Sequence, residues 1–471
     1  MPKVCIIGAG SAGLITLYEL RSRGISCIVL ERLSHVAGIW KATQSNAMYD
    51  SLVTNLPKEI MGYSPKFRFC SSLPSFVKHT DMQQYLEEFA RANSLLDNIR
   101  LSCNVSNIKK SRSSSRWTVE YEDAEKKSIE SLECDAVVVC NGHFNAPLWP
   151  DIPGLAEFSG EVVHSASYKN PSPFRDKVVL VIGTKSSATD ISRELVGVAA
   201  EVHVCNRSHT GPAVATTHRY IERQSLSGQH GHVIWTHPAI DHIDNSIIGE
   251  SMVCFVNGDR VRADCLLLAT GYRYDFPFLS PRTDGAASDD ITPAVDVSDK
   301  AIRPLYQHIF HCDDPTLSFV GLPHTIVPFP VFWLQARWVA NVYWYCLGGE
   351  HVHEEVQWAN PFLPSKADRR LWLEQFELCK QRNIEGGGFP RNYHHMGSSM
   401  WSYMHSIRRL LATTDEEDSV SRGALVTTTT GVSEERWLGL LESIYNDTGS
   451  RRPKDTGGSD AYRLCQYTIN W

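Results

Sequence analysis

The sequence lacks several features that would place it in other classes of protein. Its 13 cysteines form no Cys-x-x-Cys pair, which disfavours a disulfide reductase and fits free thiols in a reducing compartment. Lys and Arg number 46 against 53 Asp and Glu, a formal net charge of −7, so no basic surface for a nucleic acid is expected. No basic and apolar leader precedes the first predicted strand, so no secretory signal is expected.

Long apolar runs are also absent. The most apolar late segment, residues 331–347, is interrupted by Gln335, Arg337 and Asn341 and is short for a bilayer span, so it predicts a buried helix. We therefore expect a cytoplasmic protein with no membrane anchor. The chain has 471 residues, of which 42% are hydrophobic and 21% charged, so it should form two or three soluble globular domains.

A strand–turn–helix pattern opens the chain. Residues 4–7 predict a strand, a glycine-rich turn follows, and the second predicted strand ends on Glu31. The turn and the start of its helix are Gly8, Ala9, Gly10, Ser11, Ala12 and Gly13. Gly8 permits the tight turn, Gly10 lets the main chain approach a pyrophosphate, and Gly13 lets the helix pack on the sheet. A carboxylate at the second strand's end suits a free ribose 2′-hydroxyl. The pattern favours a dinucleotide such as FAD over an ordinary strand–turn–helix junction.

A second such pattern begins about 175 residues later, after a predicted strand at 178–182. Its turn and first helical residues are Gly183, Thr184, Lys185, Ser186, Ser187, Ala188, Thr189 and Asp190. Lys185 stands where the central glycine is expected, and its ammonium or the hydroxyls of Ser186 and Ser187 could contact phosphate instead. The next strand ends near Arg207, and a guanidinium there suits a 2′-phosphate. A structural sheet without a ligand, with Arg207 merely solvated, is the alternative. Two dinucleotides in one chain point to electron transfer between a flavin and NADPH.

The two units share a design. Each ends in a buried strand, at 135–140 and at 265–269, followed by a small or polar residue and glycine. From about 285 onward no third glycine-rich turn occurs, so this region should return to the first unit and complete it. We predict an α/β fold with two Rossmann-like domains, the NADPH domain inserted into a larger FAD domain. The boundaries are 1–157 and 285–471 for the FAD domain and 158–284 for the NADPH domain.

Local signals complete this outline. Thr80-Asp81-Met82-Gln83 is a capping-box pattern that opens a helix. Residues 415–430 and 446–459 are polar and of low complexity, and predict surface loops. His394 and His395 are adjacent, so their side chains point apart, and no carboxylate spacing supports them as a metal pair. We expect no metal.

The segment between the two glycine-rich turns identifies a family. We call these turns, with the start of their helices, the first cradle (residues 8–13) and the second cradle (residues 183–190). Residues 158–168, from Phe158 through Gly160 and His164 to Tyr168, match F-x-G-x-x-x-H-x-x-x-Y, and the sequence resembles the flavin-containing monooxygenases, above all the soluble plant and fungal types. Related Baeyer–Villiger enzymes carry Trp at the place of Tyr168. Further resemblance lies in Gly38-Ile39-Trp40, Thr54-Asn55-Leu56-Pro57-Lys58-Glu59, Ala269-Thr270-Gly271-Tyr272 and Phe329-Pro330 with Leu334-Gln335-Ala336-Arg337-Trp338. We interpret His164 as a structural histidine at the domain junction.

The resemblance implies an NADPH- and O2-dependent monooxygenase that oxygenates a thioether sulfur or an amine nitrogen through a C4a-(hydro)peroxyflavin. It places Asn55 as the candidate that orients this intermediate, since an amide donates and accepts without becoming charged. Besides the two cradles, the cofactor-binding residues it implies are Glu31, Arg32, Gly38, Ile39, Trp40, Thr54, Val105, Arg207 and Gln335.

Other functions stay open at this stage. A Baeyer–Villiger oxygenase of ketones is disfavoured by Tyr168. A flavoprotein that binds both nucleotides but acts as an NADPH oxidase or sensor is the third alternative. The expected partners are a small-molecule substrate and O2, and tryptophan-rich apolar surfaces leave a homodimer open.

Overall fold

The computed structural model describes residues 3–467, apart from residues 44–45, 218–232, 248, 280–289, 299–300, 349–359, 382–392, 423–432 and 453–459. In the first part of the chain the elements are β1 (Val4–Ile7), α1 (Ser11–Ser22), β2 (Cys27–Leu30), α2 (His79–Ala92), β3 (Ile99–Arg100), β4 (Cys103–Lys110), β5 (Trp117–Asp123), β6 (Ser128–Cys134), β7 (Ala136–Val139) and β8 (Ala146–Pro147).

The middle of the chain contributes β9 (Glu161–His164), β10 (Val178–Ile182), α3 (Ser186–Leu195), β11 (Glu201–Cys205), β12 (Val214–Thr217), β13 (Val233–His237), β14 (Ile240–Ile247), β15 (Glu250–Phe255), β16 (Arg260–Arg262), β17 (Cys265–Leu268) and β18 (Tyr272–Arg273). The last part contributes β19 (Asp296–Ser298), β20 (Ala301–Arg303), β21 (Leu305–Tyr306), β22 (Phe310–His311), β23 (Leu317–Phe319), α4 (Pro328–Tyr343), α5 (Lys366–Gln381), α6 (Met400–Arg422) and α7 (Glu434–Arg451).

The first nucleotide unit is completed by the last part of the chain. In the described residues its sheet has seven strands in the order β21-β22-β23-β7-β1-β2-β3. β1 pairs in parallel with both β2 and β7, and β7 pairs in parallel with β23. The apolar residues of β1 and β7 are buried on both faces, as strands of a covered parallel sheet are. The expected return of the third region to the first unit is confirmed.

The second unit has its own sheet, which in the described part of the chain runs β12-β13-β11-β10-β17-β9. β10 lies between β11 and β17 and is parallel to both. A separate three-stranded sheet, β14-β15-β16, extends this unit. The predicted fold class, one dinucleotide-binding domain inserted into another, is therefore confirmed. The exact boundaries stay a prediction, and the one at 284/285 lies outside the described residues.

Helix α4 carries the apolar segment that the sequence analysis assigned to a buried helix. It packs against α1, and all but two of its residues are buried, including Gln335, Arg337 and Asn341. The chain tolerates those polar groups because partners satisfy them: Asn341 Oδ1 accepts from Arg23 Nε at 2.7 Å, for example. Among the helices described, none is both long enough and apolar enough to span a bilayer.

Two local predictions need correction. Helix α2 begins at His79, so Thr80 lies inside the first turn, and it is Asp81 that caps the helix by accepting from the Lys78 N–H at 2.9 Å. The polar stretches predicted as loops are partly helical, since α6 runs to Arg422 and α7 to Arg451. Low complexity did not prevent helix formation in these described parts, because Glu, Asp, Ser and Arg each cost a helix less than about 1 kcal/mol relative to Ala.

Candidate functional site

The first cradle has the close packing that its glycines predict. Gly8 adopts φ +102°, and a Cβ there would lie 2.7 Å from the Cys140 carbonyl oxygen. A Cβ on Gly13 would lie 1.8 Å from the Gly8 carbonyl oxygen, so any side chain at Gly13 would force helix α1 away from the turn. These two glycines therefore shape the cradle itself.

Gly10 has a different environment. Its backbone is extended, with φ −75° and ψ −170°, and a Cβ there would meet only the Cα of Gly38 at 3.7 Å. Gly38 in turn has φ +56° and begins a 3₁₀ turn that carries Ile39 and Trp40, both half-buried. The space beside Gly10 is thus open, and the first-turn N–H groups of α1 have no acceptor within the helix. Space and amide donors together suit a pyrophosphate.

Glu31 lies where the sequence places it, at the end of β2. Its Oε2 accepts from the Ala9 N–H at 2.6 Å and its Oε1 from the Leu33 N–H at 2.9 Å, and the residue is 5% exposed. Burial raises the pKa of this carboxyl, while the two amide donors and the neighbouring Arg32 oppose the rise. The carboxylate is therefore fixed at the turn, next to the place a ribose would occupy. Val105 is buried in β4 among Cys5, Ile7 and Leu30 of the cradle strands.

The second cradle is built in the same way. Gly183 adopts φ +130°, and a Cβ there would lie 2.4 Å from the Ala269 carbonyl oxygen, while Ala188 is 1% exposed against the sheet. Lys185 precedes the first turn of α3 and is exposed, as are the two following serines. Arg207 is exposed two residues beyond the end of β11. Lys185 therefore offers a charge at the place of the missing glycine.

The two cradles come together at Asn55. Its Nδ2 donates to Ser186 Oγ at 3.1 Å, so a loop of the first domain contacts the first turn of α3. Thr54 is buried, and its hydroxyl accepts from the Val77 N–H at 3.1 Å. The Thr54 side chain therefore holds the loop that carries Asn55. Asn55 is half-buried and keeps its amide at the junction.

Two other predicted binding residues have side chains that are already engaged. Asp190 accepts from Tyr49 Oη at 2.9 Å and from Arg463 Nη2 at 3.0 and 3.1 Å. Gln335 is fully buried; its Oε1 accepts from the Gly321 N–H at 3.0 Å and its Nε2 donates to Tyr403 Oη at 2.8 Å. Their contacts with a cofactor stay a prediction, and the structure gives both side chains a role in holding the segments that form the site.

His164 lies at the junction of the domains, at the end of β9. Its Nδ1 accepts from the Ala166 N–H at 3.1 Å, so Nε2 carries the proton and donates to the Gly271 carbonyl at 3.1 Å. The residue is 3% exposed, and burial lowers the pKa of its imidazole. A neutral ring with both nitrogens satisfied supports the structural interpretation.

The structure adds basic groups near Lys185 that sequence reasoning missed. The rings of His324 and His395 lie 5.3 Å apart, and His143 lies 6.4 Å from His324. Burial lowers the pKa of His324, and the neighbouring His143, His395, Lys185 and Lys380 add to this effect, so that the pKa is about 4. Histidines spread over residues 143–395 carry no spacing signal, so only the fold could bring them together. In the described part of the chain no group of three His, Cys, Asp or Glu side chains could hold a metal ion.

Arg452 and Arg463 were missed as well. Arg452 comes from the stretch 446–459, predicted to be a loop, and Arg463 follows that stretch. Both reach the junction, Arg463 at Asp190 and Arg452 at the Asn55 carbonyl oxygen. No motif surrounds either arginine, so no sequence signal could have found them. A cavity of about 550 Å³ lies nearby, with Lys58, Glu59, Trp437 and Tyr467 among its lining residues.

Comparison with known proteins shows which family this sequence and fold resemble. The profile of the flavin-binding monooxygenase-like family matches residues 1–217. The Arabidopsis thaliana flavin-containing monooxygenase FMO GS-OX-like 4 is 35% identical over 429 residues, which cover 85% of each chain. The solved structure of S-allyl-L-cysteine S-oxygenase from Allium sativum superposes with a TM-score of 0.70 and 29% identity, over 94% of this chain and 98% of that one. A cyclohexanone monooxygenase mutant from Rhodococcus sp. Phi1 bound to NADP+ shares the fold, with a TM-score of 0.59 and 14% identity over 88% of this chain and 98% of its own.

Proposed function

This chain belongs to the flavin-binding monooxygenase-like family, with FAD and NADPH as its cofactors, and we propose that it oxygenates a soft nucleophile, a thioether sulfur or an amine nitrogen. The observation that carries the proposal is the contact of Asn55 with Ser186. It joins a loop of the first dinucleotide domain to the cofactor helix of the second, so that the reactive ends of two bound dinucleotides would meet beside one uncharged amide.

The residues present fit both cofactors. The open space beside Gly10, the free first-turn amides of α1 and the fixed carboxylate of Glu31 suit FAD. Exposed Lys185 and Arg207, at opposite ends of the second cradle, suit the pyrophosphate and the 2′-phosphate of NADPH. When bound, FAD would supply the hydride acceptor for NADPH and the group that activates dioxygen, a chemistry that amino-acid side chains do not provide.

The protein's own residues bind, orient and exclude water. Asn55 donates a hydrogen bond at the junction without bringing a charge, so it orients a reacting group there and adds no competing base. Buried His164 holds the Gly271 carbonyl, and through it the crossing between the domains. The proposed oxygenation requires no protein nucleophile, and the roles given to Asn55 and His164 include none.

Sulfur or nitrogen is favoured over a ketone on two grounds. Tyr168 stands where the Baeyer–Villiger fingerprint has Trp, and it is buried with its hydroxyl donating to Glu194 Oε2 at 2.8 Å. The relatives of greater identity include an S-oxygenase of S-allyl-L-cysteine, whereas the cyclohexanone enzyme shares only the fold. We further propose that the protein acts in the cytoplasm on a small molecule.

The test measures NADPH and O2 consumption by the FAD-loaded protein with a thioether, a tertiary amine or a cyclic ketone present. We expect the thioether or the amine to raise both rates together and to incorporate one atom of isotopically heavy dioxygen. Ester formation from the ketone would favour the Baeyer–Villiger alternative. Hydrogen peroxide release with no oxygenated product from any compound would contradict the proposal and favour the oxidase or sensor.

Asn55 can be tested separately. Asn55→Asp replaces the donated hydrogen bond by a carboxylate, so more peroxide should be released per NADPH consumed while FAD content stays unchanged. Asn104→Asp, on the exposed edge of β4, is the control for an added charge in the same domain. An equal peroxide fraction in both variants would remove Asn55 from this role.

A further inference from the structure

The end of the described chain contacts the first domain through several groups. Tyr467 N–H donates to Ser75 Oγ at 2.8 Å, and Gln466 Oε1 accepts from the Ser75 N–H at 3.1 Å. The ring of Tyr462 packs edge-on against Phe76, with centroids 5.5 Å apart. We call Arg452 together with Tyr462–Tyr467 the C-terminal clamp. These contacts anchor it beside the loop that carries Thr54 and Asn55.

The same segment reaches the second domain. Arg463 Nη2 donates to both carboxylate oxygens of Asp190, at 3.0 and 3.1 Å. The two side chains are only 15% and 14% exposed, so water screens this ion pair weakly. Asp190 lies one turn inside α3, at the end of the second cradle, which would hold the NADPH pyrophosphate. The pair therefore ties the cofactor helix to the C-terminal clamp.

Arg452 completes the connection. Its Nη2 donates to the carbonyl oxygen of Asn55, and its guanidinium lies 5.6 Å from the centroid of the Tyr462 ring. Arg463 lies 5.6 Å from that same ring. The two arginines thus share one aromatic side chain, and one unit holds both the Asn55 main chain and helix α3.

We propose that the C-terminal clamp holds the NADPH domain closed on the FAD domain and orients Asn55, with Arg452 and Arg463 as positioning residues. The inference rests on the proposed function for its consequences, because closure matters there for retaining NADP+ and excluding water. A ligand that binds across the junction has an apparent affinity proportional to the closed fraction, so opening the junction weakens binding without removing any contact to the ligand.

The first test compares NADP+ binding to the FAD-loaded protein by calorimetry. Arg463→Gln removes the charge, and the matched control is Arg91→Gln, an exposed arginine whose partner Glu87 lies on the same helix α2 of the first domain, 3.8 Å away. We expect roughly tenfold weaker NADP+ binding for R463Q, since truncating a buried charge pair costs at least that factor, and no more than a twofold change for R91Q. Arg463→Lys should restore part of the loss.

A double-mutant cycle identifies the partner. Asp190→Asn keeps an acceptor for Tyr49 but removes the charge that Arg463 binds. If Arg463 acts through Asp190, R463Q combined with D190N should weaken NADP+ binding no further than D190N alone. Additive losses would mean that Arg463 acts elsewhere and would overturn the assigned pair.

Hydrogen exchange separates this inference from the proposed function. In the absence of ligand, the amides of α3 should exchange faster in R463Q than in R91Q or the unsubstituted protein. A protein that fails to bind NADP+ would contradict the proposed function, and the exchange rates would still decide the clamp. Equal exchange and equal NADP+ affinity in R463Q and R91Q would overturn it, as would tighter NADP+ binding in R463Q.

Discussion

Gly10→Ala separates the binding of FAD from the folding of the cradle. The Gly10 backbone is extended, so alanine can adopt it, and the added Cβ would meet only the Gly38 Cα at 3.7 Å, an ordinary contact distance. The cradle of the FAD-free protein should therefore accept the substitution. A bound pyrophosphate would not, because the same methyl group occupies the open space that phosphate must approach.

The expected magnitudes differ for the two states. For the FAD-free protein, alanine is a weaker helix N-cap than glycine but reduces the freedom of the unfolded chain, and these effects nearly cancel to within about 1 kcal/mol. For the complex, one methyl group in a tight contact costs about 1–3 kcal/mol. That is roughly a 5- to 150-fold weaker affinity for FAD.

The assay combines urea unfolding of the FAD-free protein with a titration by FAD, followed by quenching of flavin fluorescence. Gly24→Ala is the control: Gly24 has φ +73° and open space around it, so alanine should lower stability by about 1–2 kcal/mol through its backbone without altering FAD affinity. Gly13→Ala should disrupt both properties, since its Cβ would lie 1.8 Å from the Gly8 oxygen. Undiminished FAD affinity in G10A would refute the assigned pyrophosphate position, and an unfolded FAD-free G10A would refute the packing argument.

Two further predictions concern a charge and a proton. Arg207→Ala should weaken NADPH binding roughly tenfold or more while NADH binding changes little. The control is Arg260→Ala, on the hairpin of the same domain, which should affect the binding of neither nucleotide. Equal losses for the two nucleotides in R207A would mean that another residue binds the 2′-phosphate. Burial, with a smaller contribution from the charge of Lys380, lowers the pKa of His308 to about 3. The unfolded chain therefore binds a proton that the folded one does not, and stability falls by about 1.4 kcal/mol per pH unit from pH ~6.5 downward. His308→Asn keeps an acceptor for the Nδ1–H of His394, and asparagine tolerates φ +61°. In urea titrations between pH 4.5 and 7, this variant should therefore lose the part of the pH dependence of stability that His308 contributes. Parallel slopes of stability against pH in the variant and the unsubstituted protein would contradict this prediction.

Much of this protein follows from local sequence. The positions of the glycines at 8, 10 and 13, the buried strands on either side and the charges of Glu31 and Arg207 suffice to predict two dinucleotide folds. They do so because a tight turn, a phosphate approach and a strand end each restrict one residue at a fixed spacing. The residues of the fingerprint at 158–168 identify the family in the same local way.

The tertiary structure determines which of the predicted side chains remain available for binding a cofactor. Asp190 and Gln335 match a pattern of binding residues, yet their polar groups are engaged with Arg463, Tyr49, Gly321 and Tyr403. Asn55 contacts Ser186, 131 residues further along the chain, and the C-terminal region supplies Arg452 and Arg463 to that junction. No spacing rule relates such residues, because their contacts depend on how whole domains pack, and packing is set by the summed apolar surfaces of distant elements and not by any local motif.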